Sequence, residues 1–279
     1  MGTQTTFFDG QKLGFIGGGH MAGAMLGGLL KQGVPAQQLL VVEPNEATRR
    51  ALEQQQGVPT LAQAGSALGD VGMVIWAVKP QVLQEVVALS RPFLPPEALH
   101  LSVAAGVRTD SLRSWLARDS VVRAMPNTPA LIGQGISGLY ACPQVTKTQK
   151  AWVQSLMGAL GQTLWVEQES QIDAVTAVSG SGPAYVYYFA EAMVQAGLQM
   201  GLSAEQAKQL TLATFGGTTA LALASTQSLT ALREQVTSKG GTTYAAITSM
   251  QADQIDQAIG KALKAAAARA KELGDLLHG

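Results

Sequence analysis

Two glycine-rich segments carry the residues whose types and spacing suit chemistry. GGGHMA at 17–22 follows the apolar run LGFI at 13–16 and leads into Ala24, Met25, Leu29 and Leu30 at helical spacing. Its Gly17-x-Gly19-x-x-Ala22 spacing fits a pyrophosphate-binding turn. The first glycine makes the bend, the second admits a phosphate to the backbone, and a small third residue packs helix on strand. Ile16, Gly17, Gly18, Gly19, His20 and Met21 then surround a helix N-terminus whose unpaired N–H groups attract anions. The second segment is TSKGGTT at 237–243. Gly240 and Gly241 let successive N–H groups converge, and Ser238, Thr242 and Thr243 supply hydroxyls, so a carboxylate can be cradled there without a guanidinium. The same residues also fit a plain helix-turn-helix with a capping threonine.

The elements that position the first turn read as alternating strands and helices. Apolar runs at 38–42, 71–78, 99–104 and 120–125 are strands, each followed by a turn, and the run at 71–78 is apolar throughout, as a parallel strand covered on both faces should be. The fold class is therefore an α/β, doubly wound, mainly parallel Rossmann sheet, whose strand ends at Gly17, Glu43, Lys79, Ala105 and Pro126 line one crevice. Glu43 ends the second strand, where a carboxylate reads the ribose hydroxyls of NAD and repels the extra phosphate of NADP. Arg49 and Arg50 lie a turn further on and can restore phosphate binding; alternatively Glu43 is a solvated residue before Pro44. Lys79, before Pro80, is either a solvated lysine or a cofactor contact.

Strands stop after LWV at 164–166, and the remainder reads as helices, among them one capped by Ser203 with Gln206 in the capping-box position. Two domains are expected, 1–168 and an all-α 169–279. Between them DAVTAVSGSGPAYVYYFAEAM at 173–193 passes from helix through small residues into most of the chain's aromatics, a natural wall for a binding site.

Composition narrows the class further. The 279 residues carry zero formal net charge with no basic stripe, which argues against nucleic acid, and no apolar run approaches the roughly 20 residues that span a bilayer. The N-terminal dozen lacks a leader pattern, and the lone Cys142 suits packing in a reducing compartment, so a cytoplasmic setting is expected. His20, His100 and His278 are too dispersed to form a metal set. Few charges and many small residues leave surface for self-association.

AVKPQ at 77–81, AAGV at 104–107, RAMPNTP at 123–129, AVTAVSGSGPAYVYYFAEAM at 174–193 and VTSKGGTTYAAITSMQ at 236–251 together resemble pyrroline-5-carboxylate reductase, from about Lys12 to the C-terminal helix. The resemblance implies reduction of 1-pyrroline-5-carboxylate to L-proline with NADPH or NADH and no metal. It also implies a helical domain that builds a homodimer or a ring of dimers. By the same resemblance, Ala77, Val78, Lys79 and Ala105 lie beside the nicotinamide half and Gln235 contacts the cofactor. Ser238, Gly241, Thr242 and Thr243 hold the substrate carboxylate on a loop lent by the partner subunit, and Thr243 hydrogen-bonds the ring nitrogen. Glu169 is a substrate-proximal acid.

The chain departs from the family pattern at His20, at Glu43 and at Ala64, the last two of which weigh against strict NADP preference. A C=N reduction needs hydride, alignment and a proton already present on an iminium, so Thr243 is expected to orient rather than to act as a strong acid. The rivals are a related imine or hydroxyacid reductase, which lacks the TSKGGTT loop, and a non-catalytic dinucleotide sensor, in which that loop should be damaged.

Overall fold

The computed structural model describes residues 7–277; the first six residues of the dozen read for a leader, and His278, lie outside them. Packing divides the chain into two compact units, residues 1–181 with 266–279, and 182–265.

In the first unit the elements are β1 (Lys12–Ile16), α1 (His20–Lys31), β2 (Leu39–Val42), α2 (Glu46–Gln56), β3 (Thr60–Leu61), β4 (Val71–Trp76), α3 (Pro80–Ser90), β5 (Leu99–Ser102), α4 (Thr109–Leu116), β6 (Val121–Met125), β7 (Gly135–Ala141), α5 (Lys147–Gly158), β8 (Gly161–Trp165) and α6 (Gln171–Val175). A π-helical turn, Thr176–Gly180, continues α6. The strands form one eight-stranded sheet in the order β3-β2-β1-β4-β5-β6-β7-β8. Pairing is parallel from β3 through β6, antiparallel between β6 and β7, and parallel again between β7 and β8. The order reverses between β1 and β4, and at such a switch point loops on the two sides diverge and leave a crevice. The four expected strands are shorter than their runs: Gln38 belongs to a 3-10 turn, Ser120 precedes β6, and the runs at 71–78 and 99–104 end as strands at Trp76 and Ser102. Just past those ends the Ala77 N–H still donates to the Ile16 carbonyl at 2.8 Å and the Val103 N–H to the Trp76 carbonyl at 3.1 Å.

The core lies on both faces of this sheet. Leu13, Phe15, Ile16, Met73, Val74, Ile75 and Trp76 are fully buried, with Met25, Leu26 and Leu29 of α1 packed against them. Helix α1 comes close because position 28 is glycine: a Cβ there would sit 2.8 Å from the Ala159 carbonyl oxygen.

The second unit is helical, with α7 (Gly182–Gln199), α8 (Ala204–Ala224), α9 (Leu229–Gln235), α10 (Thr242–Ala252) and the opening half of α11 (Ile255–Leu276). Ser203 and Gln206 form the expected capping box of α8. Little of the unit is buried: Ala190, Gly197, Ala207 and Thr211 are, while Tyr188 is 73% and Leu221 72% exposed. A helical layer with that much apolar surface in water needs another surface to cover it.

Candidate functional site

The Gly17 turn is built at the switch point. Gly17 has φ of 101°, and its N–H donates to the Val42 carbonyl at 2.8 Å while the Ala77 N–H donates to Ile16 at 2.8 Å. A Cβ on Gly17 would lie 2.6 Å from the Ala77 carbonyl oxygen and 2.9 Å from Val78 Cγ1. Ile16, Gly17, Ala77 and Val78 thus converge. Gly19 is different: it is the N-cap of α1, no side chain caps the helix, and the space a Cβ would occupy is open. An exposed first turn of N–H groups beside a clear backbone fits the pyrophosphate of a dinucleotide. His20 and Met21, the first helical residues, are exposed and half-buried there.

Glu43 is held rather than loosely solvated. Its Oε2 accepts the Gly18 N–H at 2.8 Å and its Oε1 accepts the Asn45 N–H at 2.8 Å. Arg49 donates to the carbonyls of Glu43 and Pro44, each at 2.8 Å, whereas Arg50 is ion-paired with Glu46. The carboxylate is therefore fixed beside the turn, and of the two arginines Arg49 stands at the strand end. Lys79 is exposed at the start of α3 and Ala105 is exposed beyond β5.

Glu169 has a structural surrounding that spacing could not reveal. Oε1 accepts the Thr109 N–H at 2.8 Å and an Arg123 Nη1–H at 3.1 Å, and Oε2 accepts the Thr109 hydroxyl at 2.5 Å. No side chain from the chain's own flank caps α4, so this remote carboxylate completes its first turn and its negative charge favours the helix dipole. Arg123 is 5% exposed and lies 3.8 Å from Asp173 as well. Arg108, Arg123, Glu169, Ser170, Asp173 and Lys271 line a cavity of about 340 Å³. Cys142 is buried and its thiol is pushed up, first by that burial, which fits packing rather than reactivity.

The threonine loop belongs to the second unit. Gly240 has φ of 77°, the Thr237 hydroxyl donates to the Arg233 carbonyl at 2.6 Å, and the Gly241 N–H donates to the Ser238 carbonyl at 3.0 Å. Gly241 is the N-cap of α10 and no side chain among the described residues caps it, so the alternative of a capping threonine is not what forms, and Thr242 and Thr243 are exposed in the first turn. Gln235 is exposed and donates to Gln227 at 2.8 Å. In contrast α2, α5, α8 and α9 are capped by Asn45, Thr146, Ser203 and Ser228. Two helices that begin at glycine with open first turns are suited to two anionic groups. Among the described residues no group of three His, Cys, Asp or Glu can hold a metal ion, and no helix is long and apolar enough to cross a membrane.

Residues 169–273 match the family described as pyrroline-5-carboxylate reductase dimerisation, and residues 12–106 match NADP oxidoreductase, coenzyme F420-dependent. The chain is 44% identical over 267 residues to pyrroline-5-carboxylate reductase of Pseudomonas aeruginosa, covering 95% of this chain and 98% of that protein. It is similar to a solved pyrroline-5-carboxylate reductase from Coxiella burnetii with a TM-score of 0.90 at 38% identity, over 94% and 98% of the two chains. It is also similar to the Plasmodium falciparum pyrroline carboxylate reductase solved with NADP bound, with a TM-score of 0.83 at 28% identity over 95% and 98%.

Proposed function

The chain belongs to the pyrroline-5-carboxylate reductase family, and we propose that it reduces 1-pyrroline-5-carboxylate to L-proline with its two glycine-opened helices in the two binding roles. The observation that carries this reading is the pair of uncapped first turns, α1 after Gly19 and α10 after Gly241, in a chain whose α4 turn is already filled by Glu169. A nicotinamide dinucleotide, NADPH or NADH, supplies the hydride when bound. The N–H groups after Gly19 bind its pyrophosphate, Glu43 faces the adenosine ribose, and Ala77, Val78, Lys79 and Ala105 border the nicotinamide half. Gln235 adds a cofactor contact.

At the substrate end the N–H groups of Thr242 and Thr243, with the backbone of Ser238 and Gly241 shaping the turn, hold the carboxylate. The Thr243 hydroxyl orients the ring nitrogen, which arrives protonated, so orientation rather than strong acid catalysis is asked of it. The division is functional: 1–168 binds the dinucleotide, and 169–279 binds substrate and self-associates. The exposed apolar residues of α7 and α8 support a homodimer, and a ring of such dimers, in which the partner's loop completes each site. A cytoplasmic setting agrees with the lone buried cysteine.

The test is to follow NADH and NADPH absorbance separately with purified protein and 1-pyrroline-5-carboxylate. Turnover with at least one is expected; turnover with neither rejects the reading.

A further inference from the structure

A guanidinium buried in a sheet is costly unless every charge it meets is answered. Arg123 sits on β6 at 5% exposure and meets two carboxylates, Glu169 at 3.1 Å and Asp173 at 3.8 Å. Each leads to a different piece of backbone. Glu169 holds the N–H and hydroxyl of Thr109, which closes the loop 103–108 after β5, the loop that carries Ala105. Asp173 lies on α6, three residues before the π-helical turn Thr176–Gly180 that opens SGSGPAY.

That turn is a specific shape and not a generic helix end. The Ser181 N–H reaches back to the Thr176 carbonyl at 2.8 Å, and the hydroxyls of Thr176 and Ser179 donate to the carbonyls of Ile172 and Val175 at 2.8 and 3.0 Å. A single widened turn of this kind costs regular helical geometry and recurs at functional sites. It is seated by close approach. A Cβ on Gly180 would lie 2.5 Å from Met125 Cε, and one on Gly138 would lie 2.5 Å from Val175 Cγ1. Met125 is two residues after Arg123 on the same strand, so β6 holds the helix leading into the turn by charge at Asp173 and the turn's far end by packing at Gly180.

We propose that Arg123 is a positioning residue which, through Glu169 and Asp173, fixes the Ala105 loop and the widened Thr176–Gly180 turn relative to each other. The inference rests on the proposed reduction, because those two segments are the ones assigned to the nicotinamide half and to the wall behind the substrate ring. It also gives Glu169 a different task from that of a substrate acid: its donors are Thr109 and Arg123, and its charge serves α4.

The experiment uses the full chain and Arg123→Lys, which keeps the cation but loses the planar fork that two carboxylates require. Native circular dichroism is expected, with a dinucleotide Kd within about twofold of wild type, since the Gly17 turn lies two strands away from β5 and three from β6; kcat is expected to fall roughly 10- to 100-fold from misplacement. Asp173→Asn should lower kcat too, and the double variant should fall no further than the worse single one, because both act through one contact network. Amide hydrogen exchange of 104–109 and 176–181 should rise together in Arg123→Lys. A folded Arg123→Lys protein with wild-type kcat and only a lowered Tm overturns the positioning role, as does faster exchange in one segment without the other. If wild type turns over no 1-pyrroline-5-carboxylate with either dinucleotide, the assigned reaction fails, and the exchange measurement still decides the coupling.

Discussion

Glu43 accepts the Gly18 N–H at 2.8 Å between the ends of β2 and β1, beside the switch point, and Arg49 is held on the Glu43 carbonyl behind it. A carboxylate fixed there repels a 2′-phosphate, whereas Arg49 is anchored by backbone and stays when the carboxylate is removed. Glu43→Ser is therefore expected to raise the NADPH-to-NADH ratio of kcat/KM by roughly tenfold or more, as removal of one close like charge allows. An unchanged ratio would show that Glu43 does not read the ribose.

The two glycines of the turn should respond oppositely. Gly17→Ala forces a side chain into φ of 101° and against the Ala77 carbonyl oxygen, so a loss of roughly 1–3 kcal/mol of stability is expected in urea unfolding. Gly19→Val meets open space at its Cβ. It should keep the Tm and instead weaken dinucleotide binding, measured by quenching of protein fluorescence. Equal loss of stability in both would mean that the turn is only structural.

Thr243 is exposed in the first turn of α10 and its hydroxyl has no partner among the described residues. Thr243→Ala should leave folding intact and lower kcat/KM roughly 100-fold, the scale for one lost orienting hydrogen bond. Mixed Thr243→Ala and Gly19→Val subunits, unfolded and refolded together, should regain about a quarter of wild-type sites if the loop acts across a two-fold dimer. No recovery on mixing would place the loop in its own subunit.

How far the sequence could lead is clearest at residues like these. The turns at Gly17 and Gly240 were legible because a positive φ restricts residue type at a single position. β7, GISGLYA, was not, since its small residues carry no strong alternation; Gly135 and Gly138 instead let Ala130 and Val175 pack closely on it. Nor was the role of Glu169 legible: Thr109 and Arg123 are 60 and 46 residues away in sequence. The widened turn at 176–180 has helical composition, and only its seat on Met125 and Gly138 distinguishes it.

His100 offers a pH test away from the site. Its Nδ1 accepts the Trp76 indole N–H at 3.4 Å, its Nε2 is buried without a partner, and burial, then the Arg118 cation, pushes its pKa down to about 3. The unfolded chain binds this proton near 6.5 and the fold only near 3, so the contribution to stability is complete above 6.5 and is lost as pH falls through that window. His100→Leu should flatten the dependence of the urea midpoint on pH between those values. A slope equal to wild type would show that other groups set it.

The end of α11 returns to the first unit: Asp275 pairs with Arg108 at 2.5 Å, and a Cβ on Gly274 would lie 3.3 Å from the Gly106 carbonyl oxygen. The helical unit is thus an insertion in the chain of the dinucleotide-binding unit. During synthesis the sheet emerges first, yet its Gly106 loop waits for the closing turn until the whole helical unit has left the ribosome. Stalled nascent chains exposed only to Ser181 should be cut by protease at this loop, and chains exposed to Leu277 should resist; resistance at the shorter length would refute the delay. Vectorial synthesis then withholds the finished cofactor unit until the helical unit, which lies within the match to the dimerisation family, already exists.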